Sequence, residues 1–203
     1  LVQDKTRKIG EMTMAMVSAL ENANLYNDED TGLHIKRVGE YSALLADKIG
    51  MDFDFIKKIL LYAPLHDVGK VGISDNILKK TGKYSPEEYE LMKEHVIIGG
   101  NMLSNDAFDQ MARNIALYHH EKWDGTGYSE GLKGEEIPVE ARIVAIADVY
   151  DALSTKRSYK EAFSEEEADR IIKAESGKQF DPKIVQAFFD IKDHILLVKN
   201  SIL

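Results

Sequence analysis

A chain of 203 residues with 44% hydrophobic content is long enough for one well-buried core, and no Ser/Gly/Pro-rich linker divides it, so one compact unit is expected. Its 26 Lys plus Arg against 35 Asp plus Glu give a formal charge of −9, which argues against a general nucleic-acid binder or a protein that rides on anionic membranes. The lack of Cys removes disulfides, thiolate zinc sites and cysteine nucleophiles together and fits a reducing cytoplasm, and no apolar stretch approaches the length of a membrane span.

Helical periodicity dominates from the start. Ile9, Met12, Met16, Leu20 and Ala23 form a first apolar stripe, expected as an N-terminal helix over residues 1–27. Because the chain opens on Leu1 and not Met, that helix is expected to continue from an upstream sensor or receiver region. Its stripe is open to packing internally or against a second copy, as in a homodimer. A second stripe, Leu33, Val38, Tyr41, Leu45 and Ile49, ends plausibly at Gly50. The apolar run Phe55 to Val68 leaves through Gly69-Lys70-Val71-Gly72, read as a turn. Ser85-Pro86-Glu87-Glu88 combines a capping Ser, a first-turn Pro and a reciprocal Glu, which starts a helix reaching His95 or beyond. Residues 106–118 read as another amphipathic helix, followed by a loop with Gly125, Gly127, Gly131 and Gly134. Pro138 opens a helix carrying Ile143, Ile146 and Val149, Ser164 with Glu167 makes a second capping box, and Asp181-Pro182 opens the final helix. No stretch has the alternation of a strand, so the fold is expected to be all-α.

Five of the six histidines, His34, His66, His95, His119 and His120, lie in or beside apolar helical stretches, as do Asp67 and Asp148. Buried imidazoles and carboxylates stabilise one another when a cation sits between them, and a divalent metal is the most economical candidate. His34 follows Asp30 by one helical turn, and Asp30 reads equally as a co-ligand or as an N-cap within Asp28-Glu29-Asp30-Thr31. On a helix His66 and Asp67 diverge by about 100°, so they ligate together only at a helix end or where two metals share the site. A bridging Asp67 satisfies the second case, with ions roughly 3.5–4 Å apart as in phosphoester cleavage. Lys70, one turn beyond His66, either reaches a phosphate oxygen or the bridging hydroxide, or is an ordinary solvated lysine. His119 and His120 converge on an ion if the chain turns there; otherwise one is structural and one exposed. His95 would be an ordinary surface residue without the cluster, whereas Asp148 unpaired in Ile143-Val144-Ala145-Ile146-Ala147-Asp148 would cost several kcal/mol. His194 reads as structural or exposed.

Over residues 28–190 these residues resemble the HD-GYP family, the branch of HD-domain metallophosphohydrolases that degrades cyclic di-GMP. The resemblance rests on His34 with Arg37-Val38, on His66-Asp67-Val68-Gly69-Lys70, on His95, and on the long run His119-His120-Glu121-Lys122-Trp123-Asp124-Gly125-Thr126-Gly127-Tyr128. It continues through Gly131-Leu132, Ile137-Pro138, Ala141-Arg142-Ile143 and Asp148-Val149-Tyr150-Asp151-Ala152-Leu153.

The resemblance implies an HD-like helical bundle over residues 28–203, a catalytic domain with the Gly-rich loop near its metals. It implies His34, His66, Asp67, His95, His119, His120 and Asp148 as metal ligands with Asp67 as bridge, and Lys70 beside the scissile phosphate. Arg157 and Lys160 match a pair that binds the substrate's phosphates or guanine, and Tyr128 is grouped with them as a substrate contact. Two departures stand out: Gly-Tyr-Pro reads Gly127-Tyr128-Ser129, and Asp30 stands where three-metal members carry Glu. The implied activity is hydrolysis of cyclic di-GMP to pGpG by a hydroxide bridging two divalent metals, continuing to GMP if Asp30 holds a third. Iron is favoured, then manganese, with nickel and zinc allowed by ligand type. The alternatives are a non-catalytic cyclic di-GMP receptor, or an HD phosphohydrolase for another cyclic dinucleotide such as cyclic GMP-AMP.

Overall fold

The structure, a computed structural model, describes residues 32–105, 108–156 and 162–202. The expected helix over residues 1–27, Asp30, Arg157 and Lys160 lie outside these residues. Among the described residues the architecture is helical without a strand, an isolated bridge between Ser176 and Phe180 being the one β-type contact. This is the all-α fold expected from the periodicity.

Helix α1 (Gly32–Lys48) buries Val38, Tyr41 and Leu45 of the predicted stripe with Ala46 beside them but leaves Leu33 exposed, and Gly50, at φ +83°, supplies the left-handed residue that ends it. Helix α2 (Phe53–Tyr62) is capped by Asp52. It passes directly into a 3₁₀ segment, Ala63–Gly72, rather than the continued helix and exit turn expected there. The cause is local. Pro64 has no amide hydrogen and cannot continue the α-helical ladder, so the chain tightens. This run is longer than 3₁₀ helices usually are, and it carries His66, Asp67 and Lys70.

After the short α3 (Asp75–Leu78) comes α4 (Pro86–Met102), whose predicted capping box is formed: Ser85 Oγ accepts from the Glu88 N–H and Glu88 accepts from the Ser85 N–H. Helix α5 (Gln110–Tyr118) starts later than the apolar pattern indicated, because Asp109 caps it by accepting from the Met111 N–H at 2.9 Å. Helix α6 (Val139–Ser154) is apolar on most of its circumference and forms the centre of the bundle, with Ile143, Val144, Ile146, Ala147 and Tyr150 fully buried. Helix α7 (Glu165–Ala174) is capped by Ser164, which accepts from the Glu167 N–H, while the Glu167 carboxylate pairs with Arg170. The expected final helix is in fact two, α8 (Pro182–Asp190) and α9 (Lys192–Ser201). Ile191 (φ −113°, ψ 16°) separates them, and Phe188 and Ile195 are both buried. No helix among the described residues is long and apolar enough to cross a membrane.

Two close approaches set up the site. The 3₁₀ segment packs against α4 at Gly69, where an added Cβ would overlap the His95 carbonyl oxygen and the Gly99 amide nitrogen. It packs against α1 at Gly39, whose Cβ would lie 3.0 Å from the Leu60 carbonyl oxygen and 3.6 Å from Pro64.

Candidate functional site

The expected ligands converge from five elements: His34 from α1, His66 and Asp67 from the 3₁₀ segment, His95 from α4, His119 and His120 from the end of α5, and Asp148 from α6. They fall into two groups. Asp67, His95, His119 and His120 have ligand atoms within 4.8 Å of one another, as do His34, His66 and Asp148. Asp67 lies between the groups. Its Oδ1 is 3.4 Å from His95 Nε2 and 3.6 Å from His119 Nε2, while its Oδ2 is 3.3 Å from His66 Nε2. On the far side, Asp148 Oδ1 is 3.4 Å from His34 Nε2 and 3.8 Å from His66 Nε2. Ligand atoms each about 2.1 Å from one shared ion are about 3.0–3.4 Å apart, so both groups are near the right size for a metal.

Hydrogen bonding fixes which nitrogen faces inward. Nδ1 of His66 is 2.9 Å from the Ala63 carbonyl, Nδ1 of His95 2.7 Å from Met92 O and Nδ1 of His119 3.0 Å from Ile115 O. A carbonyl only accepts, so each Nδ1 carries the proton and each Nε2 presents a lone pair to the centre. His34 is set the same way by a carboxylate, its Nδ1 lying 2.8 Å from Asp151 Oδ2. The Nε2 atoms of His34, His66, His95 and His119 are buried without a hydrogen-bond partner. Inward lone pairs beside two carboxylates are costly unless a cation accepts them, and nitrogen and oxygen donors of this kind suit a divalent transition metal. The residues present therefore fit a metal centre.

The titration behaviour separates the ligands. Burial alone would lower the His66 pKa, but Asp67 and Asp148 raise it to about 9, so a proton competes with a metal for its Nε2. Burial holds His95 down to about 4 and His120 well below its usual value, the neighbouring His119 adding to the latter, so both are neutral ligands near pH 7. Burial would raise Asp67, but Lys70 and His66 hold it well below the carboxylate range. Lys70 Nζ sits 2.9 Å from Asp67 Oδ2. Residues three apart eclipse in a 3₁₀ helix, so Lys70 stands over Asp67 and not over His66, as α-helical spacing had suggested.

The loop after α5 closes one side of the centre. Tyr128 stacks on His120 with ring centroids 4.9 Å apart and lies 6.4 Å from Tyr89. The turn is tight at Gly127, where a Cβ would stand 2.5 Å from the Glu121 Cα. Glu121, buried directly after the two histidines, was not singled out by the sequence. Its Oε1 accepts from the backbone N–H groups of Ser129 (3.0 Å), Glu130 (2.7 Å) and Gly131 (2.9 Å). Ser129, where the motif has Pro, donates one of these bonds, which a proline could not, and its Oγ donates to the Leu117 carbonyl at 3.0 Å. The loop is thus tied down by hydrogen bonds instead of a ring. Removing the hydroxyl with Ser129→Ala should lower unfolding free energy by about 1 kcal/mol. An unchanged urea midpoint would show that this bond contributes nothing.

The sequence also left Arg37 and Asp151 without a role. Arg37 donates to both Asp151 oxygens, from Nε at 2.6 Å and from Nη2 at 2.9 Å. The available signal was spacing, since His34/Arg37 and Asp148/Asp151 are each three apart on a helix and so share a face. His194 is exposed on α9, away from the cluster.

A family model described as HD domain matches residues 13–184. A cyclic di-GMP phosphodiesterase of Thermotoga maritima is 46% identical over 172 residues, 84% of this chain and 47% of that protein. A 3'3'-cGAMP-specific phosphodiesterase of Vibrio cholerae is 41% identical over 95% of this chain and 37% of its own length. The solved structure of an HDG"Y"P protein from Bdellovibrio bacteriovorus superimposes with a TM-score of 0.64 at 28% identity, covering 79% of this chain and 51% of that one. The chain thus spans about half or less of the length of the relatives it matches.

Proposed function

Because this chain belongs to the HD domain family, in its HD-GYP branch, we propose that it is a metal-dependent phosphodiesterase that opens cyclic di-GMP to linear pGpG. The observation that carries this reading is Asp67, whose two oxygens face two separate histidine groups. Two divalent ions held there would supply an activated water for in-line attack on phosphorus and would neutralise charge on the phosphoryl oxygens. Iron is the first candidate and manganese the second, nickel and zinc being compatible with the same donors.

The chain's own residues do the remainder. His34, His66, His95, His119, His120, Asp67 and Asp148 hold the centre in a fixed geometry. Lys70, beside the shared carboxylate, meets negative charge developing on the phosphate. Tyr128 offers a ring face next to His120 where a purine can rest. Arg157 and Lys160 bind the phosphates or guanine, and if Asp30 holds a third ion the reaction continues from pGpG to GMP. The relatives extend well beyond the matched part, which leaves room for the sensor or receiver region expected upstream. A cytoplasmic location follows from the substrate, and the apolar stripe of residues 1–27 is the candidate dimer contact.

A second reading is hydrolysis of 3'3'-cGAMP, supported by the Vibrio cholerae relative. Incubating the iron- or manganese-loaded chain with each cyclic dinucleotide and separating pGpG from GMP tests both. Faster loss of cyclic di-GMP supports the first reading, faster loss of cGAMP the second, and tight binding without turnover points to a receptor. Lys70→Met should lower kcat on the order of 10²-fold or more with metal content unchanged; full activity would remove Lys70 from the reaction.

A further inference from the structure

The two metal groups are supported differently. Three of the histidines are oriented by a carbonyl of the preceding turn: His66 by Ala63, His95 by Met92 and His119 by Ile115. His34 lies near the start of α1, and a side chain sets its ring. Its Nδ1 is instead held by Asp151, one turn beyond Asp148 on α6. An ionised carboxylate at 1% exposure is costly alone, and the guanidinium of Arg37 offsets it through two bonds. Thr155 Oγ1 also donates to Asp151 Oδ2 at 3.2 Å, and Arg37 Nη1 donates to the Ile202 carbonyl at 3.3 Å. Arg37 and Asp151 therefore join α1, α6 and the end of α9 behind a single imidazole.

Building on the metal reading of the site, we infer that Asp151, clamped by Arg37, is a positioning residue for one metal only, the ion held by His34, His66 and Asp148. A carboxylate behind a ligating imidazole fixes the tautomer, fixes the ring plane and makes Nε2 a better donor. In the other group His95 and His119 draw their orientation from backbone carbonyls that Asp151 does not touch. The two sites therefore differ in what their affinities depend on, and the His34 site is sensitive to the packing of the C-terminal helix.

Asp151→Asn isolates the effect. The amide keeps the shape, but its NH2 must face one of two donors, the His34 N–H or the Arg37 fork, so one contact becomes repulsive. Calorimetric titration of chelated protein with Mn²⁺, without substrate, reads the result. Expected is a 10- to 100-fold weakening of one of two binding events, the other staying within about twofold. Arg37→Lys keeps the charge but loses the fork, and should give a smaller loss at the same event. Equal weakening of both events in both variants, or of neither, overturns the inference. A wild-type chain that takes up no ion would overturn the metal reading itself, and this inference with it, a result visible before any variant is made.

Discussion

Asp67→Ala is expected to lower cyclic di-GMP hydrolysis on the order of 10³-fold or more and to deplete both metals together. Other ligand losses are one-sided. His95, His119 and His120 serve one group, and His34 with Asp148 serves the other. Among the described residues Asp67 alone faces both, Oδ1 toward His95 and His119 and Oδ2 toward His66. It also pairs with the Lys70 ammonium, so its removal breaks that ion pair beside the reacting phosphate. His95→Ala should instead deplete one group more than the other. The comparison is made by metal analysis and turnover on the same preparations. An Asp67→Ala protein retaining two tightly held ions, or turning over within tenfold of wild type, would end the bridging assignment.

Gly69→Ala is expected to destabilise the fold by about 3 kcal/mol or more and to abolish activity. The added methyl would overlap two backbone atoms, the carbonyl oxygen of His95 and the amide nitrogen of Gly99. Backbone on α4 cannot step aside as a side-chain end can, so the 3₁₀ segment must lift away, taking His66, Asp67 and Lys70 with it. Gly99→Ala across the same contact is the control. Its Cβ would meet Gly69 N at 3.2 Å and Ala116 Cβ at 3.3 Å, a tight fit offset by the helix preference of Ala. That variant should remain within about 1 kcal/mol of wild type. Urea unfolding of the pair decides the matter, and equal effects would show that the Gly69 approach is not what holds the segment in place.

Much of the site was legible because its signals are local. Ser85-Pro86-Glu87-Glu88 announces α4 by capping chemistry that works over four residues, and five histidines with Asp67 and Asp148 lie in or beside apolar stretches where a polar side chain calls for a partner. The 3₁₀ segment was harder to see. Its apolar pattern is compatible with an α-helix, and only Pro64 and the glycine at 69 hint at the tighter winding that aligns Lys70 with Asp67. Asp109 hid the start of α5, since a cap looks like any surface acid until the helix is placed. Arg37 and Asp151 are 114 residues apart, and only their three-residue spacing from His34 and Asp148 hints that they meet. Glu121 acquires meaning only once the loop folds back to present three N–H groups to one oxygen.

The most direct test is the hydrolysis rate of cyclic di-GMP as metal is returned stepwise to fully chelated protein under anaerobic conditions. No turnover without metal, and a rate that climbs to its plateau only as the second equivalent per chain fills, is the result expected of two ions joined by Asp67. Turnover that survives chelation, or none with two ions firmly bound, would contradict it.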